Sequence, residues 1–157
     1  MGAFLLFGLL MVSLLTGMIM EQRAVNSQQP DRSATAASGA AAFLSYKRAV
    51  QAYVYGHPSV SGSIDVASLP STDTQAATSA MKNVVLRTGS GSEVVTWWDV
   101  GSGALNDVLS LADGDRAIGV STGQNWTTPA GGDMGPLPVT VPSGDVVSFV
   151  IFTGSGY

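Results

Sequence analysis

The stretch Ala34–Pro58, ATAASGAAAFLSYKRAVQAYVYGHP, decides how the rest of the chain must fold. Ala36, Ala40, Phe43, Tyr46, Val50 and Tyr53 recur at three- and four-residue steps, the period that gathers side chains on one face of a helix. Lys47, Arg48 and Gln51 fall on the opposite face. Gly56 can take the left-handed conformation that ends a helix, and Pro58 cannot continue one, so the stop is written in YGHP. An apolar stripe of this length has to be buried against something, and Phe43, Tyr46, Val50 and Tyr53 are the expected domain core.

Downstream of Pro58 the chain supplies short β-branched and aromatic runs. Val84–Thr88 and Glu93–Trp98 are strands joined through Gly89–Ser92, a hairpin with a four-residue loop. Gly103–Ala112 places Leu105, Val108, Leu109 and Ala112 on one helical face and stops at Asp113-Gly114. Arg116–Thr122 and Val146–Thr153 are further strands, and Pro138–Val141 reads as an edge strand turned back through Pro142–Asp145. Ser59–Thr74 is loop-like, and Thr74–Asn83 is either a short helix or a direct lead into a strand. The predicted fold class is α+β: an amphipathic helix packed on a small antiparallel sheet. Gly123–Pro138 is the longest stretch without predicted structure, and loops of this length usually bind something or move.

Upstream, Ala3–Met20 (AFLLFGLLMVSLLTGMIM) carries no charge, and Ser13 and Thr16 can return hydrogen bonds to carbonyls one turn back. At about 1.5 Å per residue it covers roughly 27 Å, close to the hydrocarbon thickness of a bilayer. A cleaved signal peptide fits less well. No Lys or Arg precedes the run, and Met18-Ile19-Met20-Glu21 lacks the small residues of a cleavage site. The expected organisation is a transmembrane anchor over residues 1–22, a linker over 23–33 and a globular domain over 34–157. Pro30 breaks any continuous helix out of the membrane, and Asp31 or Ser33 can cap a new one. Topology stays open on charge alone: Arg23 and Arg32 weakly favour a cytoplasmic C-terminus, whereas a signal-anchor starting so early leaves its short tail inside.

Composition restricts the chemistry. Of 157 residues 45% are hydrophobic and only 11% charged, and the formal net charge of -4 leaves no basic stripe for phosphates, so nucleic acid is not an expected partner. Zero cysteines remove disulfides, thiolate metal sites and a catalytic thiol. His57, the only histidine, sits in a helix-ending turn. Asp113 and Asp115 belong to a DGDR turn without calcium-loop spacing, and Gly101-Ser-Gly103 lacks the third glycine of a dinucleotide loop. No catalytic, cofactor-binding or metal-binding residue is expected, and the chain is not read as an enzyme. Trp97 and Trp98 are neighbours on a strand, so their side chains point to opposite faces. One should enter the core; the other, with Trp126, is a candidate partner contact, since exposed Trp anchors interfaces.

Phe43–Gly62, FLSYKRAVQAYVYGHPSVSG, followed by Ile64 and Ala67-Ser-Leu69 behind an apolar anchor, resembles the PilM family of small inner-membrane proteins encoded with type IVB thin-pilus genes. The shared pattern is F-L-x-Y-x-x-A-V-x-A-Y, then a Pro and a Gly closing into a short hydrophobic strand. The resemblance covers the first half of the chain and implies a single-pass inner-membrane protein with a periplasmic domain. The implied role lies in pilus biogenesis, as a docking module for other pilus-assembly proteins. A pilin or minor pilin is the alternative. Against it, prepilins carry a basic leader ending in glycine and a glutamate at the fifth mature position, whereas Gly2 follows Met1 alone and Phe7 stands five residues on.

Overall fold

The predicted helix exists, and it buries its stripe on one face of a six-stranded antiparallel sheet. The computed structural model describes residues 38–70 and 77–157. Helix α1 runs through residues 38–56. After a 3-10 turn at Val66–Ser68 come β1 (Lys82–Thr88), β2 (Gly91–Trp98), α2 (Gly101–Leu111), β3 (Ile118–Ser121), β4 (Asn125–Thr128), β5 (Gly132–Pro136) and β6 (Val146–Phe152). The strand order is β1-β2-β6-β3-β4-β5, so the last strand in sequence lies in the middle of the sheet. The expected anchor at Ala3–Met20, the linker over 23–33 and the caps at Asp31 and Ser33 lie outside the described residues. Among the described residues, no helix is long and apolar enough to cross a membrane.

One helix serves two adjoining clusters. Tyr46, Ala49, Val50 and Val54 of α1 pack with Ile64, Leu69, Met81, Val85 and Val94, and Tyr53 packs at the margin, half-buried. Ala40, Phe43 and Leu44 pack with Val108 of α2, Ile118 and Val146. Trp98 touches both clusters, its ring lying beside Gly39 of α1. Each fully buried side chain of this kind contributes roughly 1.5–3 kcal/mol through removal from water.

The edge of β1 is closed by a strap. Gly62 exchanges backbone hydrogen bonds with Val85 (2.8 and 2.9 Å), and Asn83 does the same job with its side chain. Its Oδ1 accepts from Ile64 N at 2.7 Å, and its Nδ2 donates to Ile64 O at 2.8 Å and to the Tyr46 hydroxyl at 2.6 Å. Burial pushes the Tyr46 phenol above its ordinary range, and the Asn83 bond partly opposes this. Covering the edge leaves fewer free backbone groups to recruit a foreign strand.

Several expectations are corrected. Lys47, expected on the solvent face of α1, is buried and pairs with Asp115 in the turn after α2. The same contact removes Asp115 from the category of simple solvated turn residues. The β1–β2 hairpin turns through Gly89-Ser90 alone, tightened by Thr88 Oγ1 against Ser90 N and Gly91 O, rather than through four residues. Gly123–Pro138 is not structureless, for it contains β4 and β5. Pro138–Val141 is not a strand. Leu137–Val141 instead lies across the second face of the sheet, tied down by Leu137 N to Gln124 O, Val141 N to Gly123 O, and Ser121 Oγ to Val141 O.

Candidate docking face

Alternation along β1, β2 and β6 sorts side chains between two faces. Asn83, Val85, Val94, Thr96, Trp98, Val146 and Ser148 belong to the helix side; Val84, Leu86, Val95, Trp97, Val147, Phe149 and Ile151 belong to the other. On the helix side the hydroxyls of Thr96 and Ser148, directly opposite across strands, are buried without a hydrogen-bond partner among the described residues. On the other side, Val95 and Val147 are covered by Leu137, Val141 and Trp126. That second core stops there.

The side chains of this face are arranged in three cross-strand rows, in which Val95 and Val147 lie beneath the covering segment. Lys82, Trp97 and Val147 form one, Val84, Val95 and Phe149 the next, and Leu86, Glu93 and Ile151 the third. Val84, Leu86, Trp97 and Phe149 are half-buried, and Ile151 is 50% exposed. Neither helix nor loop among the described residues covers them completely. The result is a partly apolar surface with a carboxylate set in one end and an ammonium at the other.

Elsewhere, Asp115 and His57 are held by structural contacts. For Asp115, burial raises the carboxyl, but bonds from Lys47 and Ala117 N and the nearby ammonium charge outweigh it, and the net shift is downward. Asp145 shifts upward, through burial and then the charge of Asp99. His57 lies in its turn, stacked on Tyr53 at 4.1 Å with Nδ1 2.9 Å from Tyr53 O. A cleft of about 420 Å³ beside the strap is lined by Tyr46, Asp65, Thr78, Lys82 and Asn83 among others. No group of three His, Asp or Glu that could hold a metal occurs among the described residues.

The Asp115 shift sets a pH dependence. A carboxyl depressed in the fold contributes stability that is fully present above its unfolded value, near 3.8, and is lost as pH falls through the lower folded value. Urea-unfolding free energies measured across the acid range should therefore fall in that window for the native chain. Asp115→Asn should flatten that part of the profile; an unchanged slope would show that the Lys47 pair contributes nothing.

The PilM family model matches residues 10–149. The chain belongs to the PilM family. Membership relates it to pilus biogenesis. Among solved structures it is similar to the crystal structure of a PilM protein from Escherichia coli B7A, at 18% identity and a TM-score of 0.55, over 76% of this chain and 94% of that one. At that identity the likeness is one of fold. No curated protein matches the chain.

In this PilM-family domain the residues selected on sequence separate. Phe43, Tyr46 and Val50 are buried, with Tyr53 beside them. Trp97 lies on the open face and Trp98 against the helices, both half-buried. Trp126 is corrected: it is 3% exposed, on β4 beneath Leu137 and Val141, edge-on to Phe149 at 6.1 Å. Its ring fills the second core and offers a partner nothing. Leu86, Glu93, Phe149 and Ile151, which no motif in the sequence marks, complete the face around Trp97.

Proposed function

We propose that this chain is a non-enzymatic inner-membrane component of a type IV pilus assembly apparatus of the thin, type IVB kind. Ala3–Met20 would hold it in the bilayer, and residues 34–157 would stand in the periplasm as a docking module for other pilus-assembly proteins. The observation that carries this reading is the partly exposed apolar face of β1, β2 and β6 that includes Trp97, Leu86 and Ile151. Family membership supports the setting.

Trp97→Ala is the test. The ring is only half-buried, so the variant should remain folded by thermal melting, while cells carrying it should yield few or no sheared pili. Normal piliation in a folded, expressed variant would end the docking reading. A reporter active only after export, fused beyond Tyr157, should be active, and silence there would remove the periplasmic placement. A helix packed on an antiparallel sheet is also the outline of a pilin, which keeps a filament subunit as the second reading. Detecting the chain within sheared shafts would favour it.

A further inference from the structure

We propose that Asp99 and Asp145 form an acid-strengthened fastening where β6 enters the sheet: the junction of β2, β3 and β6 holds more tightly with a proton on Asp145 than with both carboxylates charged. Register brings the two acids together. Trp98 of β2 pairs with Val146 of β6, and Asp99 and Asp145 are the next residues outward on these two antiparallel strands. Like charges set across a strand pair repel each other. The backbone is pinned on the far side, because Asp145 O accepts from Ser121 N of β3 at 2.9 Å and Gly144 N donates to Ser121 O at 2.9 Å.

The surroundings supply no counter-charge. Asp145 is only 9% exposed, and among the described residues its carboxylate has neither a hydrogen bond nor an ion pair. β3, β6 and the covering segment Leu137–Gly144 contain no ionisable side chain, and α2 contains only Asp107. Lys82, opposite Trp97 on β1, directs its ammonium to Ser79 O, and Arg116 stands beyond the other end of β3. Asp99 is exposed, and its Oδ1 accepts from Gly101 N at 2.9 Å at the start of α2. A buried carboxylate that faces a second carboxylate and no cation favours its neutral form.

Burial first, and then the Asp99 charge, raises the Asp145 carboxyl. The folded chain therefore holds this proton more tightly than the unfolded chain does. The stability it confers is fully present below the unfolded value, near 3.8, and is lost as pH rises through the raised folded value. The sign is opposite to that of Asp115, and the window lies at higher pH.

Asp145→Asn removes the charge at nearly unchanged shape. At about pH 7.5 the full chain carrying it, in mild detergent, should melt roughly 2–5 °C above the native chain. That gap should close towards about pH 4, where the native carboxyl takes up its proton. Asp99→Asn keeps an acceptor for Gly101 N and leaves the buried residue untouched, so a gain of the same sign there decides the matter even if the buried amide fits poorly. NMR titration of the carboxyl carbons should place the Asp145 midpoint above the ordinary carboxylate value, and lower it in Asp99→Asn. A midpoint at or below the ordinary value would overturn the proposal. So would melting differences of the same size at every pH, which mark a merely structural change, or a failure of both variants to gain stability at neutral pH.

Discussion

Gly119→Ala should lower the unfolding free energy by roughly 3 kcal/mol and the melting temperature by about 10 °C. Gly119 is buried on β3, and a Cβ built there would stand 2.1 Å from Thr127 O and 2.9 Å from Thr127 C, both backbone atoms of β4. No side-chain rotation can relieve that contact. The two strands would have to separate where Val120 pairs with Thr127, and Trp126, the next residue on β4, would lose its seat in the second core. Gly89→Ala is the internal control, because a Cβ there meets nothing within 4 Å, and its effect should stay within about 0.5 kcal/mol. Chemical denaturation of both variants checks this. Equal stabilities would mean that β3 and β4 are not so closely apposed.

Asn83→Ala should be costlier still, by roughly 4 kcal/mol. The side chain satisfies three buried groups at once: Ile64 N, Ile64 O and the Tyr46 hydroxyl. Each buried polar group left without a partner costs about 1–3 kcal/mol, and alanine can replace none of the three bonds. Tyr46→Phe removes one bond and retains the ring, so its cost should be near 1 kcal/mol. Asn83→Asp should not rescue, since a carboxylate cannot donate to Ile64 O and would be a buried charge without a cation beside it. Hydrogen exchange should show the amide of Ile64 losing protection in Asn83→Ala before those of β2 and β6. Comparable stabilities for Asn83→Ala and Tyr46→Phe would refute the clamp.

The helix is legible because its signal is local. Phe43, Tyr46 and Val50 fall on one stripe whatever covers them, and YGHP stops the helix in any context. Lys47 departs from its expected face because its fate depends on Asp115, 68 positions away, which meets the ammonium so that the stem can be buried. β4 and β5 carry no comparable signal, because NWTT and GDMGP are short, and the second is rich in glycine and proline. Their strand character comes from the neighbouring ladder. For Leu137–Val141, the alternation of Leu137, Val139 and Val141 is real, but those side chains pack onto a sheet face rather than extend its edge.

Part of the candidate docking face is likewise legible. Adjacent tryptophans on a strand must diverge, and Trp97 and Trp98 do. Its rows are not legible, since they depend on register. A four-residue loop would pair Thr88 with Glu93, whereas the actual turn pairs it with Gly91. The slip of two residues keeps every side chain on its face but exchanges its cross-strand neighbour, and only the true register aligns Lys82 with Trp97.

The place of β6 between β2 and β3 governs the order in which the molecule can be completed. A polypeptide ending at Asp145 would hold the β1–β2 hairpin and the β3–β4–β5 meander as separate ladders, with α1 touching both but no strand between them. Val146–Phe152 is the keystone, paired with β2 on one side and β3 on the other. Without those residues the two pieces share no strand-to-strand hydrogen bonds, so the sheet closes only when this one segment is in place.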